Sequence, residues 1–373
     1  SLTIRSSVMG EKLRIAYDAS AVPPRPAGAG MYTMQLAGAL AERDDIELLV
    51  AAPAHAAPSL TWTTPPGALA RNAWEQFVWP RDMQRHGADV CHGPHFAVPV
   101  RCQTPRVATV HDLTFYKLGR RYDFRHRWYY RALARTAARA ERVIVPSAAV
   151  AGDVVRYLRY PVERIRVIPE APRSGWTPAT RQEIATAMAR LQIEHPYLLM
   201  VGTAEPGKRA VDGVRALQLL HRRGIEATLV LAGNSGRLEA RLRAEAARLG
   251  ITEHVRFAGY IGDDTLRPLY SGALVLLFLS LFEGFGLPPL EAMSCGTPVI
   301  ATERPAMTEV LADAARFVPA RDPAAVAAAV EALATDQEAR NGLAARGLEH
   351  AATYSWARAA AETVAVYREV SKR

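Results

Sequence analysis

Cysteine is scarce in this chain, with three residues in 373: Cys91, Cys102 and Cys295. They are odd in number and far apart, without C-x-x-C or metal-ligand spacing. That excludes a disulfide framework and a zinc site, and leaves packed or idle thiols as the expectation. Long apolar runs are also missing. No stretch reaches the roughly 18 uncharged residues of a membrane helix. The longest, Ala273 to Phe282, reads as a buried strand. Ser1 to Gly10 holds no apolar run long enough for a signal peptide, reads as a short extension, and makes the cytoplasm the expected compartment. No short tandem repeat and no Asp-x-Asp pair for a metal occurs, so no metal and no cofactor is expected.

What is present is a 49% apolar chain, enough for sizeable cores, at a length that suits two domains of about 100–200 residues each. The net charge of +9 is uneven. Between positions 101 and 150 stand eleven Lys or Arg against three acids, a local excess of +8. Such a field attracts phosphates, acidic lipid headgroups or nucleic acid.

Short apolar runs alternate with helical periodicity from end to end. Leu13–Tyr17, Ile46–Ala52, Val107–Val110, Val143–Val145 and Ile165–Ile168 read as buried parallel strands. Helices are predicted over Met31–Ala41, Trp74–Arg85, Phe124–Ala140 and Ala148–Leu158. Pro169, Pro172, Gly175 and Pro178 then form a linker-like cluster. The alternation restarts at Tyr197–Val201, Thr228–Ala232, Val255–Phe257, Leu274–Leu279 and Pro298–Ala301. Helices are predicted there over Lys208–Arg223, Leu238–Leu249 and Leu287–Ser294, with an Ala-rich helical end from Pro323 to Val370. The expected fold class is therefore α/β, with two Rossmann-like doubly wound parallel-sheet domains facing across a cleft. Ligand-binding residues are sought just after strands.

Four such places stand out. Pro26-Ala27-Gly28-Ala29-Gly30 leads from the first strand into a helix, as an anion-binding turn or simply a tight one. A dinucleotide fingerprint would need glycine at Thr33 and an acid near Ala52, so an NAD role is not expected. His111-Asp112-Leu113-Thr114-Phe115 follows Val107–Val110, where an imidazole can reach a sugar hydroxyl or a phosphate. Gly202 to Arg209 is a glycine-containing loop with Lys208 near a helix start. It narrowly misses a Walker A loop, since Arg209 stands where Ser or Thr is required, and it suits a diphosphate site of another kind. The fourth place is Glu283-Gly284-Phe285-Gly286-Leu287-Pro288-Pro289-Leu290-Glu291. Its glycines let backbone approach a ligand, Pro288 suits a helix first turn, and two carboxylates suit sugar vicinal hydroxyls.

This last run resembles the E-x7-E motif of retaining GT-B glycosyltransferases, in particular glycosyltransferase family 4. Cys295-Gly296-Thr297-Pro298-Val299-Ile300, the H-D-L-T-F run and the G-T-x-E-P-x-K run follow the same pattern in the same order. The resemblance implies a division into an acceptor domain over 11–172, a donor domain over 173–354, and a last helix over 355–373 that crosses back to the first. It implies that His111, Glu283 and Lys208 serve catalysis: His111 on the transferred sugar, Lys208 on the donor diphosphate, Glu283 on the sugar. Gly28 and Gly30 would lie near the phosphates or the acceptor. Thr203, Arg209, Gly233, Asn234 and Tyr260 would line the donor pocket. Gly284, Phe285, Gly286 and Leu287 would hold sugar and phosphate, and Glu291 the ribose. The sequence departs from the family where Gly207 replaces a frequent arginine, with Arg209 as the candidate substitute.

The implied reaction is retaining, metal-independent transfer of a hexose, mannose from GDP-mannose by preference, in bacterial surface polysaccharide assembly such as lipopolysaccharide. The family implies a front-face route in which the leaving phosphate helps to deprotonate the acceptor. A glycan or polyprenyl-diphosphate-linked acceptor, with peripheral contact at the inner membrane, fits the basic and aromatic stretch containing Arg120, Arg121, Arg125 and Arg127. A solvated helix face is the plainer account of that stretch. Alternatives are a nucleotide-sugar epimerase of the same fold, or a nucleic-acid binder using 117–142. No RNA- or DNA-binding motif is present, so nucleic acid is not an expected partner.

Overall fold

The computed structural model describes residues 12–53, 61–117, 124–194, 196–203, 205–234, 236 and 238–371. The chain divides into two compact units. One holds the chain up to Pro146, Val150–Ile168 and everything from Trp356 on; the other holds Ser147–Ala149 and Pro169–Ser355.

The first unit contains a seven-stranded sheet of β1 (Leu13–Asp18), β2 (Ile46–Ala52), β3 (Trp62–Thr63), β4 (Val90–Gly93), β5 (Arg106–Thr109), β6 (Arg142–Val145) and β7 (Ile165–Val167), in the order β3-β2-β1-β4-β5-β6-β7. Each neighbouring pair is parallel. The second contains a six-stranded parallel sheet of β8 (Tyr197–Val201), β9 (Thr228–Ala232), β10 (Val255–Gly259), β11 (Val275–Phe278), β12 (Val299–Thr302) and β13 (Arg316–Val318), in the order β10-β9-β8-β11-β12-β13. In both sheets the order reverses direction once, beside β1 and beside β8. The crevice outside the strand ends at such a reversal is where open α/β sheets bind ligands.

The apolar strands have a physical reason. In β8, Tyr197 and Leu199 enter one core and Leu198 and Met200 the other. In β11, Leu276 and Phe278 face the first core and Val275 and Leu277 the second. Both sheet faces are covered by helices, so alternation of apolar and polar residues disappears.

Three strands fall outside the sequence expectation: Trp62–Thr63, Val90–Gly93 and Arg316–Val318. Each is four residues or fewer and lacks an apolar run. The helix expected over Trp74–Arg85 is two, Ala68–Phe77 and Trp79–Arg85. Pro80 has no amide hydrogen for the bond that would continue the first one. The Ala-rich end is three helices, Pro323–Thr335, Gln337–Ala351 and Trp356–Ser371. Asp322 and Asp336 restart it, accepting 2.9 Å bonds from the amides of Ala325 and Ala339. The last helix lies in the first unit, burying Trp356, Ala360, Thr363, Val364 and Tyr367 on one stripe. Among the described residues no helix is long and apolar enough to cross a membrane.

Candidate active site

In the second unit, the loops after β8, β9 and β11 meet beside the reversal point. Gly202 donates its amide to Ala232 O (2.9 Å), Gly233 to Gly259 O (2.7 Å), and Leu281 to Gly207 O (2.9 Å). Gly233 has φ 131°, and a Cβ there would stand 2.2 Å from Gly202 O, so the loops touch backbone to backbone. Only glycine fits.

Lys208 closes a short 3-10 turn, Pro206–Lys208, ahead of the helix Ala210–Arg222. Its ammonium is ion-paired to Glu283 Oε1 and lies 5.5 Å from the Phe278 ring centre. The pair joins the loop after β8 to the loop after β11. Gly286, at φ 97°, caps the helix Leu287–Ser294, with Pro288 in its first turn. Gly284, Phe285 and Leu287 are all buried, so the exposed part of the helix start is largely backbone. Pro288 and Pro289 carry no N–H, so the groups this helix start offers to an anion are the amides of Gly286 and Leu287 and one ammonium.

Arg209 is differently employed. It holds a left-handed backbone (φ 56°) between the turn and the helix, and its guanidinium binds buried Asp212 at 2.7 and 2.6 Å. That two-point pair makes it the structural anchor of the helix start. A role as the second phosphate cation would require giving the pair up.

Glu291 is buried at 4% exposure. Tyr270 donates to its Oε2 at 3.0 Å, and Arg173 Nε stands 3.0 Å from its Oε1. Arg173 also pairs with Asp263 and lies 4.7 Å over the Trp176 ring. Burial raises the Glu291 pKa above the ordinary carboxylate range, and Arg173 opposes that shift. Sequence reasoning found Glu291 but not Arg173 or Tyr270. Arg173 stands in the proline cluster that reads only as a linker, and Tyr270 is one aromatic within an amphipathic helix.

Thr203 is exposed, Tyr260 is 48% exposed beyond β10, and Asn234 Oδ1 accepts from Gly236 N at 3.0 Å. They surround the same strand ends.

In the first unit, Gly28 (φ 52°) precedes the helix Ala29–Ala41, and Gly30 packs on Pro23 and Pro26. His111 is buried after β5, its Nε2 2.8 Å from Pro94 O and its ring edge-on to Tyr32 at 4.5 Å. A hydrogen-bonded line runs behind it. Tyr367 Oη lies 2.6 Å from His92 Nδ1, His92 Nε2 2.8 Å from Thr109 Oγ1, and Thr109 Oγ1 3.2 Å from Tyr32 Oη. His92 is neutral and carries one N–H, so it donates one of its two contacts and accepts the other. The last helix is thus bonded into the polar centre of this unit. Arg120 and Arg121 lie outside the described residues. Arg125 and Arg127 fall on the helix Phe124–Ala137, but their side chains also lie outside what is described.

Buried titratable groups give this unit opposing pH dependences. Burial, and next the charge of His111, pushes His92 and His95 down to about 3. Unfolded, an imidazole titrates near 6.5, so below that pH the unfolded chain takes protons the folded chain refuses. Stability is lost as pH falls toward 3, by about 1.4 kcal/mol per unit for each histidine. Glu75 has the opposite sign: burial, then the Asp18 carboxylate, pushes it up to about 8. Its stabilisation is full below the unfolded value near 4.3 and is lost as pH rises through 8. Melting temperature should therefore peak between about pH 5 and 7 and fall on both sides. Calorimetry across pH checks this. Glu75→Gln should flatten the alkaline limb and steepen the acid limb between about pH 4.3 and 6.5, where Glu75 opposes the histidines, and an unchanged alkaline limb would refute the assignment.

Comparisons with known proteins bear on the family and the fold. Residues 184–350 match the family described as Glycosyl transferases group 1, and residues 26–171 match Glycosyltransferase Family 4. The O-antigen chain mannosyltransferase B of Escherichia coli is 30% identical over 283 residues, covering 75% of this chain and 74% of that protein. D-inositol 3-phosphate glycosyltransferase of Salinispora arenicola (strain CNS-205) is 33% identical over 248 residues. That match covers 62% of this chain and 55% of the relative, so the chain spans about half of its length. The crystal structure of Anabaena Alr3699/HepE in complex with UDP and glucose matches with a TM-score of 0.76, over 96% of this chain and 100% of that one. At 17% identity that likeness concerns the fold. With both units matched and one relative 30% identical over three quarters of each chain, the protein belongs to glycosyltransferase family 4, with the GT-B fold.

Proposed function

We propose that this glycosyltransferase moves a hexose, mannose by preference, from a nucleotide diphosphate sugar to a glycan or lipid-linked glycan acceptor in surface polysaccharide assembly. Transfer retains the anomeric configuration and needs no metal. The observation that carries this reading is the Lys208–Glu283 pair beside the start of the helix Leu287–Ser294. It joins a cation suited to a diphosphate and a carboxylate suited to sugar hydroxyls at one set of strand ends.

Charge builds on the leaving diphosphate in the transition state, and Lys208 with the amides of Gly286 and Leu287 meets it. Glu283 accepts from sugar hydroxyls, and Glu291 from the ribose. Thr203, Gly233, Asn234 and Tyr260 border the nucleotide. His111 is assigned to the transferred sugar, and Gly28 and Gly30 to the donor phosphates or the acceptor pocket. The mannosyl preference and the O-antigen setting rest on the Escherichia coli relative, and UDP as a rival nucleotide rests on the Anabaena structure. The lipid-linked acceptor rests on the +8 excess of positions 101–150 and implies contact with the inner face of the plasma membrane, from the cytoplasm.

A thermal-shift panel of GDP, UDP, ADP and dTDP tests the donor. Ligand at 100 times its Kd stabilises by about 2.7 kcal/mol, which is readily seen as a shift. GDP is expected to give the largest shift, and a larger one with UDP would overturn the mannosyl preference. Sugar-nucleotide turnover without any acceptor, yielding an isomerised sugar nucleotide, would favour an epimerase instead.

A further inference from the structure

Two buried carboxylates of the first unit take no part in donor binding. Asp18, the last residue of β1, is 6% exposed, and Glu75, on the helix Ala68–Phe77, is 3% exposed. Asp18 follows Ala16 by two positions, so its side chain shares the sheet face where Ala16, Ala51, Trp62 and Cys91 form a core. The helix that carries Glu75 packs on that face through Trp74. Burial and next the Asp18 carboxylate raise the Glu75 pKa to about 8, so the two lie within electrostatic reach. Burial raises Asp18 as well, opposed first by the hydrogen bonds of Ser20 and then by Arg71. Arg71 stands one helical turn before Glu75 and opposes its shift too. The cluster sits at the reversal between β1 and β4, where an open α/β sheet takes its ligand.

Hydrogen-bonding capacity here is left over. Glu75 Oε1 accepts from Gln76 Nε2 at 3.2 Å, while Oε2 accepts nothing among the described residues. His95, two residues past β4, places Nε2 3.0 Å from Thr33 Oγ1, which donates its own proton to Ala29 O at 2.8 Å. Nε2 is therefore the protonated nitrogen, and Nδ1 keeps a lone pair with no hydrogen bond among the described residues. Thr64 follows Trp62 by two positions and extends the ladder through its amide to Ala52 O at 3.0 Å, so it shares the same face. It is 6% exposed, and its hydroxyl has no partner among the described residues. Arg71 is half-buried, without an ion pair or side-chain hydrogen bond among the described residues. Buried polar groups left so are costly until a ligand satisfies them.

The chemistry of that ligand follows from the groups. Lone pairs on a carboxylate and an imidazole need hydroxyl protons, and a guanidinium and a threonine hydroxyl can answer hydroxyl oxygens. The two carboxylates share one proton at neutral pH and Arg71 adds one positive charge, so the cluster is close to neutral. A phosphate or a uronate would set a second anion beside Asp18, and an ammonium would face Arg71.

We propose that Glu75, Asp18 and Arg71, with His95 and Thr64, form a subsite for the hydroxyls of an uncharged sugar at the end of the glycan acceptor. The proposal rests on the glycosyl-transfer reading and narrows its acceptor to a neutral sugar residue.

Saturation-transfer NMR of the full chain tests it. The probes are methyl glycosides of mannose, galactose and N-acetylglucosamine, beside mannose 6-phosphate and methyl glucuronide. A neutral glycoside should bind at least tenfold more tightly than either charged sugar. Glu75→Met keeps the bulk and removes the acceptors, and should raise the acceptor KM at least tenfold with kcat unchanged, as expected where uniform binding is lost. Glu75→Gln should recover part of that affinity. Arg71→Met, at a half-buried position where folding is not at stake, should raise the acceptor KM several-fold. An unaltered nucleotide-induced melting shift shows that donor binding in the second unit survives in each variant. Charged sugars binding as tightly as neutral ones, or no neutral glycoside binding at all, would overturn the proposal. If transfer proceeds with the parental acceptor KM in both methionine variants, the subsite fails and the transfer reading stands. If a neutral glycoside binds in a Glu75-dependent way but no acceptor receives sugar, the transfer reading fails and the subsite stands.

Discussion

Lys208→Ala should lower kcat by about 10²–10³ while leaving the protein folded. Lys208 is the cation that meets the diphosphate in the proposed reaction, and its ammonium is half of the ion pair with Glu283. The Lys208 side chain is 33% exposed, so losing the pair should cost under about 1 kcal/mol of stability. The damage therefore belongs in turnover rather than in folding. The pairing has a second consequence. Without donor, Glu283 cancels the charge that the diphosphate needs. A whole sugar nucleotide offers hydroxyls to Glu283 and phosphate to Lys208, and so separates them. A nucleoside diphosphate without sugar must compete with the carboxylate. Glu283→Gln should thus bind GDP or UDP several-fold more tightly than the parent, because the diphosphate then no longer competes with a carboxylate for the Lys208 ammonium. The same variant should lose transfer. Calorimetric titration beside steady-state kinetics gives both numbers. A Lys208→Ala kcat within threefold of the parent would remove Lys208 from the chemistry, and a weaker nucleotide affinity in Glu283→Gln would remove the competition.

The two sides of the molecule were unequally legible in the sequence. β8, β9 and the helix Leu287–Ser294 stand where hydrophobic periodicity places them, because buried parallel strands and a proline-started helix leave local signatures. Lys208 and Glu283 were legible for the same reason, as polar residues just beyond apolar runs. Their pairing across 75 positions was not, since nothing local encodes it. The partners of Arg209 and Glu291 were hidden differently. Arg209 reads as a phosphate cation until the buried Asp212, three residues on, is seen to hold it. In the first unit, His92 and Glu75 carry no signal at all. His92 sits in a four-residue strand, and Glu75 occupies the buried side of a helix whose exposed side holds Leu69 and Phe77. A sequence reader would invert that helix, because apolar residues are normally the inward ones.

Glu291→Ala should destabilise the second unit by about 3–5 kcal/mol, the usual loss when one partner of a buried ion pair is removed. The carboxylate is 4% exposed and satisfies both Arg173 and Tyr270. Without it, the ion pair left to Arg173 among the described residues is with Asp263, whose side chain is 58% exposed, and the buried Tyr270 hydroxyl loses its Glu291 acceptor. At about 2–4 °C per kcal/mol for a domain of this size, melting should fall by roughly 6–20 °C. A lost nucleotide response in that variant would then report a damaged fold as readily as a missing ribose ligand. Glu291→Gln separates the two. It keeps an oxygen for Tyr270 and the shape of the side chain, but gives up the charge and half of the acceptor capacity. Its melting temperature should fall less than that of the alanine variant, whereas nucleotide affinity should drop by about tenfold or more, as expected for a hydrogen bond to a charged group. A double-mutant cycle with Arg173→Met measures the remaining quantity, the coupling between Arg173 and Glu291. Coupling near zero, with an alanine variant melting within 2 °C of the parent (less than about 1 kcal/mol), would mean that Glu291 is not committed to the fold.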